Sequence, residues 1–281
     1  MREAKRWEQV LYQVGFLCLG LVVLVPLWML VQMAFDQSLM GWPLHFRIVP
    51  KVFSLEAFAH IWRQAGQSVS FLDALRNSLI VSGGSALLAV GLGASMAYAF
   101  ARYRFSGRRI GMYGLLLGVL LPPVALMTPL YVLLTILQIR TSLLGLVVVY
   151  TSFSMPFCVW NMRAAFQTTP RELEEAAFID GAGQFMAFLR VALPVAMPSI
   201  AVAGLMAFLT GYTEFVMAWL FIDSSSQVTL AMALTGMIGS GGTSWNLLAA
   251  LALLMSLPVV IVFLLLQRYI LNNLLLGSPG G

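Results

Sequence analysis

Few side chains in this chain of 281 residues have both the type and the spacing that chemistry needs. Its two histidines, His45 and His60, share one polar stretch, and H-E-x-x-H is absent, so a metalloprotease or a histidine-assisted serine protease has no parts here. The lysines are Lys5 and Lys51, and neither completes G-x-x-x-x-G-K-[ST], so any ATP hydrolysis must occur on another chain. Cys18 and Cys158 both fall inside apolar runs and read as small core residues instead of a disulfide or metal pair. What remains is acidic. Glu172, Glu174, Glu175 and Asp180 lie close together inside a polar interruption, Thr169 to Pro198, while Glu214 stands alone in an apolar run. The chemistry open to these carboxylates is recognition by charge and hydrogen bond.

The elements that must position them follow from composition. Hydrophobic residues make up 60%, charged residues only 10%, and mean hydropathy is +0.90; a soluble domain carries about 25% charged residues. The chain is therefore expected to be an integral membrane protein. Its apolar sequence comes in runs of about 20 residues or more, the length of a spanning helix, whereas barrel strands alternate over about 10. The expected fold is all-α, a single transmembrane domain over 1–281 with six transmembrane helices at about 11–35, 75–100, 110–136, 142–166, 199–222 and 246–271. The first run is too long for a cleavable signal core and is expected to be retained. Ser82, Gly83, Gly84, Ser85, Gly91, Gly93 and Ser95 mark the second run as one that packs closely inside a bundle. Pro122, Pro123 and Pro129 must kink or break the third.

Six spans place both termini on one side, and the basic residues decide which. The head, the Arg102–Arg109 loop, the Arg163–Arg190 segment and Arg268 together hold most of the 16 basic residues, so this face is expected to be cytoplasmic. Orientation in a membrane accounts for the net charge of +5 better than nucleic acid does, because the arginines are spread through short loops. The loop 167–198 is then cytoplasmic, and 36–74 and 223–245 are outer loops. The spacing predicts a helix starting firmly after Thr169, with Pro170 at its first position and Glu172 completing a capping box, and ending at Gly181 and Gly183. A second short piece, Phe185 to Val191, precedes the turn at Leu193-Pro194. An anionic leaflet would repel Glu172, Glu174 and Glu175, so a protein partner fits this helix better than a membrane surface does.

The order Glu175-Ala176-Ala177, three residues, Gly181, nine residues, Val191, one residue, Leu193-Pro194 resembles the EAA-x3-G-x9-I-x-LP signature of ABC importer permeases, with valine in place of the usual isoleucine. Ala97 to Gly107, Leu173 to Ala182 and Leu257 to Leu274 narrow the resemblance to the MalG-type permeases of carbohydrate importers, over nearly the whole chain. That family implies a type I importer architecture, a second MalF-like permease, two ABC ATPase subunits, and an extracytoplasmic substrate-binding protein that delivers sugar. It implies no cofactor on this chain, since ATP and magnesium would be held by the ATPases, and a location in the cytoplasmic (inner) membrane among its lipids. It assigns ATPase coupling to Glu174, Glu175, Ala176, Ala177, Asp180, Gly181, Leu193 and Pro194. It also assigns binding-protein contact to the loop holding Gly239, Ser240, Gly241 and Gly242.

Glu214, with Thr210, Tyr212 and Thr213 beside it, is a candidate acceptor for sugar hydroxyls, or else a contact to the companion permease, because a carboxylate at membrane depth needs a cavity or a partner. Tyr150, Phe153, Trp160 and Trp219 are weaker stacking candidates, aromatics in spans being more often lipid-facing or interfacial. Glycerol phosphate or a related phosphodiester is the alternative cargo, although no arginine or lysine lies deep in a span to receive it. A stand-alone carrier or membrane enzyme would leave the EAA stretch without a purpose.

Overall fold

The computed structural model describes residues 6–39, 49–66, 69–239 and 244–276. Among them, an isolated antiparallel bridge joins Asp36 and Phe53, and no strand is present. In chain order the helices are α1 (Arg6–Phe35), α2 (Glu56–Arg63), α3 (Phe71–Arg102), α4 (Arg108–Leu120), a 3-10 turn at Pro123–Leu126, α5 (Met127–Ile136) and α6 (Leu143–Thr168). They continue with α7 (Glu172–Ile179), α8 (Gln184–Ala187), a π-helical turn at Phe188–Ala192, α9 (Leu193–Val195), α10 (Met197–Thr213), α11 (Val216–Phe221), a 3-10 turn at Ser225–Gln227, α12 (Leu230–Gly239) and α13 (Trp245–Leu276).

Among the described residues, four helices are long and apolar enough to cross a membrane, at Trp7–Phe35, Phe71–Arg102, Leu143–Thr168 and Trp245–Ile270. At 1.5 Å per residue each reaches roughly 39 Å or more, beyond the ~30 Å hydrocarbon core. Two further pairs pass the same test but are bent: Arg108–Leu120 with Pro123–Ile136 by 102°, and Gln184–Val195 with Met197–Thr213 by 78°. The first bend falls at Leu121-Pro122, where proline withholds an amide donor and its predecessor is pushed to extended backbone. The apolar run over 199–222 is also interrupted: α10 stops at Thr213, Glu214 is extended, and α11 restarts at Val216. The stretch expected as an outer loop over 223–245 contains α12: Leu230 to Gly239 is apolar except for Thr235, and Gly236 sits within the helix.

The chain divides into two compact units, 1–71 with 234–256 and 72–233 with 257–281. In the first, the carboxylate of Asp36 closes the end of α1. It accepts from the Ser38 amide and hydroxyl and from the Lys51 and Val52 amides, while Phe35 stacks on Phe53. Burial of this carboxylate works against its charge, but the Ser38, Lys51 and Val52 donors outweigh it and hold its pKa below the ordinary aspartate value. A short helix, α2 at Glu56–Arg63, follows the bridge.

The second unit is built on α3, α6 and α10. Buried Ala89, Ala97, Tyr98, Cys158, Val159, Met162, Phe166, Ala203 and Ala207 form its inner cluster. Small residues make the close approach possible, as the α3 sequence suggests. A Cβ on Gly211 would lie 2.7 Å from Ser85 Oγ and 3.0 Å from Ser82 Cα, and one on Gly93 would lie 3.0 Å from Met162 Cε. Ser95, by contrast, is exposed, and Gly83 and Gly91 meet nothing within 4 Å. At the far end of α3, Asn77 donates to the Ser226 and Val228 carbonyls, and Ser78 Oγ accepts from the Leu230 amide.

Candidate functional site

The segment from Thr169 to Pro198 folds as α7, α8, the π-helical turn and α9. The capping box does not form. Thr169 Oγ1 donates back to the Ala165 carbonyl, extending the end of α6, so α7 begins at Glu172 with Arg171 at its cap position and no side-chain cap. With α6 ending so close before α7, the threonine hydroxyl is satisfied by the helix it leaves, and not by the one it precedes. The stop is where the glycine spacing puts it: Gly181 takes φ +86°, and the Ala182 amide donates to the Ala177 carbonyl. Gly183 has ordinary extended backbone and starts α8.

An eight-residue helix without a cap needs an external hold, and Glu174 supplies it. Its side chain turns inward, 5% exposed, and Oε1 lies 2.6 Å from Arg102 Nη2 and 2.8 Å from Arg102 Nε, a fork on the last residue of α3. Tyr98 donates to Oε2 at 2.7 Å, and Arg102 also donates to the Thr169 carbonyl. Tyr98 packs edge-on against Phe166 and beside Phe188, so the ion pair rests on an aromatic floor. A charge pair this far from solvent is tolerable because its lone pairs and donors are met.

The opposite side of the segment is bare. Glu172, Glu175, Ala176 and Asp180 are exposed, as is Gly181, and so are large apolar side chains: Leu173, Phe178, Ile179 at 86% and Phe185 at 71%. Ala177, Asp180, Gly181, Gly183, Met186 and Arg190 line an open hollow of about 460 Å³. Leu193 is half-buried and Pro194 exposed. Apolar side chains displayed beside carboxylates, on helices too short to span, have the composition of a protein-docking surface. The eight expected coupling residues thus divide: Glu174 faces the bundle and anchors, while Glu175, Ala176, Asp180 and Gly181 face outward.

The chain between residues 89 and 274 matches the family described as the binding-protein-dependent transport system inner membrane component. The chain belongs to this family. It is an ABC importer permease of the inner membrane, and a transport subunit rather than an enzyme. The permease is 29% identical to the inner membrane ABC transporter permease protein YcjP of Escherichia coli (strain K12), over 98% of this chain and 99% of that one. It is 35% identical to the maltose/maltodextrin transport system permease protein MalG of the same bacterium, over 74% of this chain and 72% of that one. Its fold matches a chain from the crystal structure of a bacterial ABC transporter involved in the import of the acidic polysaccharide alginate, with TM-score 0.77, 18% identity, 96% of this chain and 99% of that one.

Around Glu214 the residues singled out by sequence do not converge. Thr210 and Thr213 donate to the Met206 and Leu209 carbonyls of their own helix, and Tyr212 is buried against Phe208. Glu214 accepts instead from the Val216 and Met217 amides, capping α11, and from Tyr150 Oη at 2.6 Å. Tyr150 is 1% exposed, so the expectation that it faces lipid fails: the hydroxyl of a buried tyrosine needs a partner, and Glu214 is that partner. Nothing in the spacing of the sequence, 64 residues apart, could have paired them. Trp219 is exposed and Phe153 half-buried. Of the loop expected to touch a binding protein, Gly239 ends α12, and Ser240, Gly241 and Gly242 lie outside the described residues.

Proposed function

We propose that this permease is one half of the translocation path of a carbohydrate importer, with both termini and the α7–α9 segment in the cytoplasm. A second, MalF-like permease forms the other half. An extracytoplasmic binding protein delivers the sugar, and two separate ABC ATPase subunits, which hold ATP and magnesium, drive the cycle. The α7 helix docks on one of these ATPases through Glu175, Asp180, Phe178 and Ile179, and the Glu174–Arg102 pair passes its displacement to α3. Relatedness to the maltose/maltodextrin permease supports a sugar as the cargo. The observation that carries the coupling role is the division of α7 into a buried ionic root and an exposed apolar and acidic tip.

The test is reconstitution of the permease with its co-expressed partners in lipid discs, scoring ATPase turnover on addition of sugar-loaded binding protein. Substituting Ile179→Ser together with Phe185→Ser should release the ATPase on purification while the helical content stays unchanged. Retention of a fully sugar-stimulated ATPase by this variant would refute the docking assignment.

A further inference from the structure

At the start of α4, on the same end of the second unit as α7, three guanidinium groups gather without a counter-charge. Arg108, Arg109, Met112, Tyr113, Trp160 and Arg163 line a cavity of about 330 Å³ between α4 and α6. Among the described residues none of the three arginines meets a carboxylate, and the charge of Arg108 bears directly on that of Arg163. Like charges held together in a folded protein imply an anion that offsets their repulsion.

Two residues of the cavity wall also carry unmet donors. Arg163 Nε and Trp160 Nε1 are both shielded from solvent and donate to nothing, although the guanidinium lies over the indole ring at 5.7 Å. Donors left bare in a buried position carry a desolvation cost unless a ligand accepts from them. An acceptor with several oxygens and a negative charge satisfies every one of these demands together.

The outer face of α4 identifies which anion. Arg109, Tyr113, Leu117 and Leu120 recur at helical spacing, and the last three are 66%, 61% and 76% exposed. Read from the cavity into the membrane, one ridge offers a guanidinium, then a phenol, then two leucines. That is the order of headgroup, interface and acyl chain in a phospholipid. A soluble anion would leave the leucine ridge without a role, and an acidic protein surface would not run along a spanning helix.

We infer that the cavity between α4 and α6 binds the phosphate of an anionic phospholipid, with Arg108, Arg109 and Arg163 as its cationic walls, Trp160 Nε1 as a further donor and the Tyr113–Leu120 ridge holding an acyl chain. Basic pockets between membrane helices recognise such headgroups by this combination. The site lies apart from the cargo and coupling surfaces, and its test does not depend on either.

The experiment is native mass spectrometry of the delipidated full-length permease with its co-purified subunits, titrated with dioleoyl-phosphatidylglycerol, dioleoyl-phosphatidylcholine or inorganic phosphate. Phosphatidylglycerol should bind in preference to phosphatidylcholine, and phosphate should not displace it. At about fivefold per arginine near a leaflet surface, Arg108→Gln with Arg163→Gln should weaken that binding about 25-fold. The charge-matched Arg63→Gln with Arg76→Gln should leave it unchanged. If the double variant does not fold, Arg163→Lys and Trp160→Phe are read in its place, each expected to lose affinity for phosphatidylglycerol alone. Equal affinity for the two lipids, displacement by phosphate, or loss of a co-purified subunit with phosphatidylglycerol binding intact would each overturn the assignment.

Discussion

Glu174→Ala offers the sharpest perturbation of the permease. The substitution removes the acceptor for Arg102 Nη2, Arg102 Nε and Tyr98 Oη together, and leaves a guanidinium at a site where the two side chains are 8% and 7% exposed. Breaking a buried pair from one side costs about 3–5 kcal/mol, because the remaining charge stays desolvated. Arg102 keeps its bond to the Thr169 carbonyl, which places the expected cost at the lower end, about 3 kcal/mol, or more than a hundredfold in the docked fraction of α7. Amide hydrogen exchange over 172–180 in lipid discs reads that fraction directly, and sugar-stimulated ATPase turnover reads its consequence. Replacing the trio with Tyr98→Phe, Arg102→Met and Glu174→Leu removes every charge and hydroxyl at once, and should recover most of the exchange protection. It should not recover ATPase stimulation if geometry as well as adhesion is needed at this joint. Unchanged protection across α7 in Glu174→Ala would refute the reasoning, since nothing else described ties this helix to α3 by charge.

Three further outcomes follow from the same coordinates. Tyr150→Phe strips one of the donors from Glu214 and should lower the stability of the permease by roughly 1–2 kcal/mol in detergent melts, with sugar uptake reduced only in proportion to folded protein. Gly211→Ala forces a methyl to within 2.7 Å of Ser85 Oγ and should cost roughly 1–3 kcal/mol, whereas Gly91→Ala, with nothing within 4 Å, should be silent in the same melts. Asp36, whose pKa is depressed in the folded protein, contributes stability that is complete above the ordinary aspartate value of about 3.9 and is lost as pH falls through its lower folded value. Protection factors at the Lys51 and Val52 amides, corrected for the intrinsic pH dependence of exchange, should therefore be high at pH 6 and fall below about pH 4, and Asp36→Asn should abolish that fall.

The sequence made the membrane character and the helical class legible because both rest on run length and composition, which need no partner chain or contact to be read. The stop of α7 was legible for a related reason: the spacing of alanines, glycine and proline is local, and Gly181 does take the left-handed backbone assigned to it. The capping box misread the same segment because Thr169 had two helices competing for one hydroxyl, and proximity favoured α6. The contact between Glu214 and Tyr150 was hidden for the opposite reason: only packing across 64 residues joins them. Likewise, counting apolar residues over 199–222 cannot reveal a helix break whose cause is a carboxylate turning back to cap the next segment. The outer loop expected over 223–245 hid α12, ten consecutive helical residues too few to read as a span of their own.

Helix α3 gives these pieces a mechanical logic. Its last residue, Arg102, grips α7, and 25 positions earlier Asn77 holds the carbonyls that precede α12, so one unbroken helix of roughly 38 Å joins the two attachments. Between them, Gly93 and Gly211 bring α6 and α10 into contact too close for independent sliding. A displacement imposed on α7 therefore cannot be absorbed inside α3. It must either break the Glu174 pair or carry α3, α6 and α10 together, and two hydrogen bonds and a buried charge pair resist the first. Further on, at Glu214, α10 is interrupted and the backbone is extended before α11 restarts. The two carboxylates hold their elements differently: Glu174 is gripped by an arginine and a tyrosine of α3, and Glu214 by the backbone amides of α11 and by Tyr150 of α6.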